Sequence, residues 1–376
     1  MTNIFDLEIR NSTTISPFIK EEISFGSANC IYLIDQFCGK IPQIIKNNKI
    51  SNLSKAYPRF LLDSNVVDCL DNLVNNGTKT DGSSKFLSFF ARNNWPLDYN
   101  FYLLEHFSKT NIDDFKSNST RRISSILTLE SMSPEKYLET EEIILDENKV
   151  NILFKQHNVK SINELSQKII TEFINNYDPN NYINRTIRSI EVMLIKMLLI
   201  RKEEIHSGSL EDQLDAIKKF IMEDMKIVLA KELHLALHYF SDKAGKLHGT
   251  QRSTPIETAK RRIRSTAWDM MLLKLPEIYL TPSMPNEEID LLFIVTEEKK
   301  LKELANLYNI ERIKFSNNWC NPLISYNLSN YSNEMQTKLT SIDEELKKIA
   351  LSNSKTMPNE LYESLQKRLE SFCSKQ

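Results

Sequence analysis

The chain has 376 residues, with 48 lysines and arginines against 50 aspartates and glutamates, a formal net charge of −2. That length suits one elaborated domain or two, and the balanced charge gives no global basic field for nucleic acid, although a local patch is enough. Its seven glycines, at 26, 39, 77, 82, 208, 245 and 249, form no phosphate-cradling cluster, which excludes Walker-type ATPases, Rossmann dehydrogenases and kinases.

Residues 1–55 read as a lead-in, with Cys30–Ile34 a strand or a helical segment and Pro42 an interruption. Arg59-Phe-Leu-Leu is a short apolar strand that ends on Asp63, and a helix starts directly after it. Two more helices complete a unit over 59–107. The first begins at Ser83 or Ser84 and repeats Phe86, Phe89 and Phe90 at helical spacing, and the second spans Asp98 to Phe107. The polar stretch Ser108 to Thr120 is expected to be a loop. Helical periodicity then dominates 135–241, with one stripe through Ile187, Ile190, Leu194 and Met197/Leu198 and another through Leu214, Ile217, Ile221, Met225 and Val228. Thr258–Tyr279 is a helix that ends near Pro282. A strand at 290–296, a helix at 297–307 and a strand at 310–315 give an α/β end, and helices at 331–351 and 357–374 close the chain. The domain division that follows is a lead-in at 1–55, one α/β part at 56–130, a helical insertion at 131–250, a second α/β part at 251–318 and C-terminal helices at 319–376.

Five cysteines (Cys30, Cys38, Cys69, Cys320, Cys373) without a Cys-x-x-Cys pair fit reduced thiols in a cytoplasmic protein. The first residues carry no basic n-region or apolar h-region, so no secretion signal is expected. The longest apolar run, Val192–Ile200, is broken by Lys196 and is about half of what a bilayer requires, so no membrane is expected.

The acids at the predicted strand ends carry the chemical signal. Parallel strands bring their C-terminal ends together in a crevice, and such crevices bind ligands. Carboxylates gathered there repel one another unless a hard cation such as Mg²⁺ neutralises them. Asp63 ends the strand that begins at Arg59, and Thr296-Glu297-Glu298 ends the strand at 290–296. Asp269 sits in a helix built otherwise from Ile263, Ala267, Met270, Met271, Leu272 and Leu273, where a lone carboxylate is costly. The plain alternatives are that Asp63 is a helix cap, that Asp269 pairs with Arg261 or Arg262, and that the glutamates stabilise a helix N-terminus.

The order strand-Asp63-x-Asn65-helix, then Asp269 in an apolar helix, then Val295-Thr296-x-Glu298-Lys-x-Leu301 resembles the PIN-domain nucleases. The resemblance rests on three short segments between residues 59 and 315. It implies an α/β fold, a PIN-like parallel sheet flanked by helices, here with a large all-helical insertion and C-terminal helices. It also implies a metal-dependent nuclease that hydrolyses phosphodiesters, of RNA first and DNA second, using Mg²⁺ or Mn²⁺. The implied ligands are Asp63, Glu105, Asp269 and Glu298, with Asn65 positioning substrate or water. Where the family carries Thr-x-Asp, this chain has Thr296-Glu297-Glu298, so the longer side chain binds metal directly or through water. Asp290 and Glu297 are the fallbacks there. Glu105 shares its helix face with Phe101 and Tyr102; Glu232, which extends the stripe that begins at Leu214, competes with it, and Glu130 is third. Lys260, Arg261, Arg262 and Arg264 are the candidate phosphate contacts. Such an activity implies a regulating protein partner or homo-oligomer and suits a toxin or antiviral effector.

Two other classes compete. Arg201 and His206 match the Arg-x4-His spacing of the metal-free HEPN ribonucleases. The second is a non-catalytic helical interaction protein, in which every acid is a cap or a surface ion pair. His234 and His238, one turn apart, have a zinc-compatible spacing but no third ligand nearby, so a packed aromatic-rich helix is the expectation.

Overall fold

The computed structural model describes residues 23–27, 30–37, 43–46, 49–52, 55–227, 229–244, 247, 249–280, 288–316, 319–352 and 357–374. Residues 1–22, Pro42, Val228 and Pro282 lie outside them. The chain is mixed α/β and divides into two compact units. The first comprises Met1–Asp178, Lys274–Ala305 and Asn309–Ile324; the second comprises Pro179–Leu273, Asn306–Tyr308 and Ser325–Gln376.

The elements begin with four short strands, β1 (Ile23–Phe25), β2 (Ile31–Ile34), β3 (Gln43–Lys46) and β4 (Lys49–Asn52). Next come β5 (Lys55–Leu62), α1 (Ser64–Asn76), α2 (Asp81–Asn93), β6 (Leu97–Asp98) and α3 (Asn100–Lys109). Helices α4 (Ile112–Glu130), α5 (Pro134–Thr140), α6 (Glu147–His157) and α7 (Ile162–Asn176) complete the N-terminal part of the first unit. The second unit opens with α8 (Tyr182–Leu199), α9 (Leu210–Phe220) and α10 (Ala230–Phe240). α11 (Ile256–Leu280), β7 (Glu288–Thr296), α12 (Lys299–Ala305), β8 (Tyr308–Ser316) and β9 (Trp319–Tyr326) follow, and α13 (Asn333–Ser352) and α14 (Asn359–Ser374) end the chain.

The main sheet has the order β1-β2-β7-β5-β6. β5 runs parallel to both β7 and β6, and β2 and β1 add antiparallel strands beyond β7. Central parallel strands are buried on both faces, which explains why their sequences are continuously apolar. Phe60, Leu61 and Leu62 are fully buried, as are Leu292, Ile294 and Val295. Phe86, Phe89 and Phe90 of α2 lie 5.5, 6.0 and 6.3 Å from the Phe60 ring, and Trp95 stacks on Phe293 of β7 at 5.0 Å. Burying one such ring contributes about 1.5–3 kcal/mol, so the α2 stripe fixes that helix to the sheet. α1 ends at Gly77, whose φ of 64° is the left-handed cap conformation that glycine adopts without strain; its N–H donates to Leu73 O.

Several boundaries differ from the sequence expectations. Cys30–Ile34 resolves to a strand, β2, so part of the lead-in belongs to the sheet. α2 starts earlier than Ser83, because Thr80 and Ser83 form a reciprocal capping box. The stretch Ser108–Thr120 is no loop. Asn111 caps the N–H groups of Asp113 and Asp114, and Phe115, Ser119, Ile123 and Ile126 form a buried stripe, so the polar residues are simply the outer face of α4. Residues 319–326, expected among the C-terminal helices, form β9, the edge of a second sheet of order β4-β3-β8-β9. An edge accommodates Pro322, which has no N–H to give to a ladder.

In the second unit the expected stripe of α8 is buried, and of the second stripe Leu214 and Ile217 are buried on α9 and Ile221 and Met225 just after it. Each of those helices runs on into a π-helical turn, Ile200–Glu204 after α8 and Ile221–Met225 after α9. No helix among the described residues is long and apolar enough to cross a membrane.

Candidate functional site at three parallel strand ends

β6, β5 and β7 are adjacent and parallel, so their C-terminal ends form one edge, and each end delivers a polar residue. β5 ends on Asp63. Its backbone N–H donates to Val295 O at 3.0 Å, which sets it beside the last residue of β7, Thr296. The helix that follows β6, α3, presents Glu105. The turn after β7 carries Glu297 and Glu298.

Asp63 is buried, at 8% exposure. Its Oδ2 accepts the Thr296 hydroxyl at 2.6 Å, and its Oδ1 accepts the Ser64 N–H at 2.7 Å. The Ser64 hydroxyl donates to Glu105 Oε2, and the Lys109 ammonium lies 2.5 Å from Glu105 Oε1. On the other side the Glu298 N–H donates to Thr296 Oγ1 at 3.0 Å, and the Glu297 N–H donates to Asn65 Oδ1 at 3.1 Å. A continuous chain of polar contacts thus runs from Lys109 through Glu105, Ser64 and Asp63 to Thr296 and the Glu298 backbone.

Burial dominates the electrostatics of Asp63. It pushes the carboxyl up to about 7; the nearby Glu105 and Glu298 charges push the same way, and the Thr296 and Ser64 hydrogen bonds only partly oppose them. A carboxyl poised near neutrality can take a proton from water, and one crowded by like charges favours a cation beside it.

Of the four expected carboxylates, Asp63 and Glu105 are linked here through Ser64, and the exposed Glu298 is joined by its backbone N–H and acts on Asp63 by its charge. Asp269 belongs to the second unit, where it is half-buried on α11. Asn65 is present at the edge, with its side-chain oxygen tying α1 to the end of β7. The fallback acids face elsewhere. Asp290 lies at the opposite end of β7 and pairs with Arg59 at 3.3 Å. The Glu297 side chain hydrogen-bonds with Cys69, and burial raises its carboxyl. Glu130 holds the Leu97 N–H at 2.9 Å, below β6, where burial and neighbouring Asp98 push it to about 7 despite Arg59 and Lys149. Glu232 is fully buried on α10 in the second unit.

The basic candidates all belong to the second unit and are largely engaged. Lys260 bonds Glu370 at 2.7 Å, Arg262 donates to Gly249 O at 2.8 Å, and Arg264 lies 3.7 Å from the buried Glu191. Arg261 is exposed. Arg201 of the alternative pair is held by Tyr239 O and Asp242 and lies over the Tyr239 ring, whereas His206 is exposed. His234 and His238 are packed as expected. His234 stacks on Tyr326 and meets Asp343 at 3.0 Å, and His238 Nδ1 meets the Tyr331 hydroxyl at 2.9 Å.

An all-oxygen donor set of Asp63, Glu105, Glu298 and the hydroxyls suits a hard divalent cation. Each Asp63 oxygen accepts one hydrogen bond here, and a carboxylate oxygen has a second lone pair to offer. Among the described residues, however, no three His, Cys, Asp or Glu side chains converge closely enough to hold one ion. Glu105 is tied to Ser64 and Lys109 instead. Sequence reasoning missed Ser64 and Lys109, and the signals were local: a hydroxyl directly after Asp63, and a lysine one helical turn after Glu105.

Comparison with models of known protein families, with curated proteins and with solved structures finds no match.

Proposed function

We propose that the chain is a metal-dependent nuclease of PIN-like fold, hydrolysing phosphodiester bonds of RNA, with DNA as the second choice of substrate. The observation that supports this most is the buried Asp63 carboxyl, raised to about 7 beside Glu105 and Glu298 at the edge of three parallel strands. Asp63 and Glu105 are the proposed direct ligands of Mg²⁺ or Mn²⁺, with Glu298 binding directly or through water. An ion held there supplies an activated water and stabilises the leaving oxygen of the phosphodiester. Thr296 and Ser64 orient the two inner carboxylates by their hydroxyls, and Asn65 keeps α1 fixed against the end of β7. The exposed Arg261, with Arg262, is the proposed backbone contact for the nucleic acid, and Asp269 is an additional acid of the second unit. A regulating partner and a toxin or antiviral setting remain part of the proposal, since uncontrolled RNA cleavage harms the cell that makes the enzyme.

The test is cleavage of a labelled single-stranded RNA by purified protein with Mn²⁺, with Mg²⁺ and with EDTA. Cleavage that requires the ion and is lost in Asp63→Asn supports the reading. EDTA-insensitive cleavage that is lost in Arg201→Ala would replace it with the HEPN chemistry. Absence of cleavage of RNA and DNA under all conditions would leave the non-catalytic interaction protein.

A further inference from the structure

Glu191 lies on α8 and is 2% exposed. Its Oε2 accepts the Tyr362 hydroxyl of α14 at 2.7 Å. Its Oε1 is also buried, and no donor among the described residues hydrogen-bonds to it. The Arg264 guanidinium of α11 stands 3.7 Å from that oxygen, beyond hydrogen-bond range. The charges of Arg264 and Arg188 both act on the carboxylate, against the effect of its burial. Arg188 is exposed on α8, as is Arg185 one turn before it. Arg264 is exposed on α11, as is Arg261 one turn before it. Two helices of the second unit thus each bring an arginine to one buried acceptor, with a further arginine a turn away on the same face.

Buried acceptors without a donor are rare, because the group gives up water and receives nothing in return. A donor from outside would satisfy Glu191, and the arginines restrict what can carry it. They repel a cation and attract an anion, so the fitting guest presents a hydroxyl beside a phosphate. Along an RNA strand that hydroxyl is the ribose 2′-OH, which DNA lacks. We propose that Glu191 reads the 2′-hydroxyl of an RNA strand whose phosphates bind Arg188 and Arg264, with Arg185 and Arg261 holding its continuation. Arg264 is 44% exposed on a flexible stem, so its guanidinium can swing onto a phosphate and open the way to Oε1. The inference rests on the reading of RNA as substrate above; the site itself requires neither the acid edge of the first unit nor an ion.

The experiment measures fluorescence anisotropy of a labelled single-stranded RNA, its 2′-O-methyl form and the corresponding DNA with the full chain in EDTA, so that binding is read without metal-dependent cleavage. Wild type should bind the RNA about tenfold more tightly than the other two, the scale of one hydrogen bond to a charged group. In Glu191→Gln the Tyr362 hydroxyl keeps the amide oxygen and the NH₂ takes the place of Oε1. That preference should then vanish, while DNA affinity stays the same or rises. Arg188→Ala should weaken RNA and DNA binding alike and lower the salt slope by about one. Arg188 is exposed, so this variant reads the site even where a change at Glu191 impairs folding. A wild type that does not distinguish RNA from its 2′-O-methyl form, a Glu191→Gln protein that still does, or an unchanged slope in Arg188→Ala would each overturn the inference. A preference that is lost in Glu191→Gln, in a protein that cleaves nothing with Mn²⁺, would uphold this site and remove the nuclease reading.

Discussion

The charge of Asp63 is the most direct handle on the site, because a single atom exchange removes it. An ordinary aspartate titrates near 3.8, whereas burial and the neighbouring glutamates carry Asp63 to about 7. At roughly 1.4 kcal/mol for each decade, the ionised form is disfavoured by about 4 kcal/mol in the folded protein. The raised value means that the folded state binds the proton more tightly than the unfolded chain. The corresponding stability is present in full below pH 3.8, falls as the pH rises to about 7, and is lost above that. Asp63→Asn keeps the volume, the acceptor for the Ser64 N–H and a partner for the Thr296 hydroxyl, and asparagine caps a helix as well as aspartate does. At pH 8 the variant should therefore be more stable than wild type by up to about 4 kcal/mol. At roughly 2–4 °C per kcal/mol, that is up to about 8–16 °C in melting temperature. The difference should close towards pH 4, where wild-type Asp63 is itself neutral. Thermal unfolding of both proteins in EDTA from pH 4 to 8 measures it directly. A variant less stable than wild type at pH 8, or a gap that does not change with pH, would show that Asp63 serves as a cap whose ionised form is welcome, and the electrostatic argument would fail.

Replacing Arg261 and Arg262 together by Ala should weaken RNA binding and lower the slope of log affinity against log salt by about one for each phosphate the pair neutralises; an unchanged slope in a salt titration would place the nucleic acid elsewhere. His238 is held down to about 4 by burial, with His234 and Lys243 adding to the effect. Its contribution to stability should be present above pH 6.5 and decline as the pH falls towards 4, so its imidazole resonances should still report the neutral ring at pH 5.5. A His238 that charges near 6.5 would contradict the packing around Tyr331 described above.

The parts of the fold that were legible in the sequence are those where burial writes a pattern. Leu61-Leu62 and Leu292-Phe-Ile-Val295 are continuous apolar runs because the strands are covered on both faces, and the α8 and α9 stripes repeat at three and four because one face of each is covered. Elements whose signal is polar were harder to see. α4 opens with nine residues that contain only Ile112 and Phe115 as apolar positions, so its solvent face concealed the helix, and only the Asn111 cap marked its start. β9 contains a proline and lies at an edge, where neither alternation nor length is enforced. The site shows the same division. Asp63 and Glu298 are conspicuous because each breaks an apolar strand end. Glu105 was legible from its helix face. The contacts that organise these three acids come from Ser64, Thr296 and Lys109, and nothing in their identity distinguishes a hydroxyl or a lysine that serves a neighbour from one that serves water. Asp269 illustrates the converse: an acid in an apolar helix is visible in a sequence, but the unit to which it belongs is decided by long-range contacts.

The separation of the partners along the chain has a consequence for biosynthesis. The hydroxyl of Thr296 and the carboxyl of Asp63 are 233 residues apart. Closing a loop of that length costs roughly 5 kcal/mol of chain entropy beyond a constant, which the central pairing of β5 with β7 must overcome before Asp63 meets Thr296. At ribosomal speeds of roughly 5–20 residues per second, β5 emerges some 10–50 s ahead of its neighbour. For that interval Phe60, Leu61 and Leu62 form a strand with one long edge unmatched, the kind of segment that nascent-chain chaperones shield. A chain whose translation stops between residues 105 and 296 contains Asp63 and Glu105 without Thr296 or Glu298, so such products carry only half of the edge on which the proposed activity would depend.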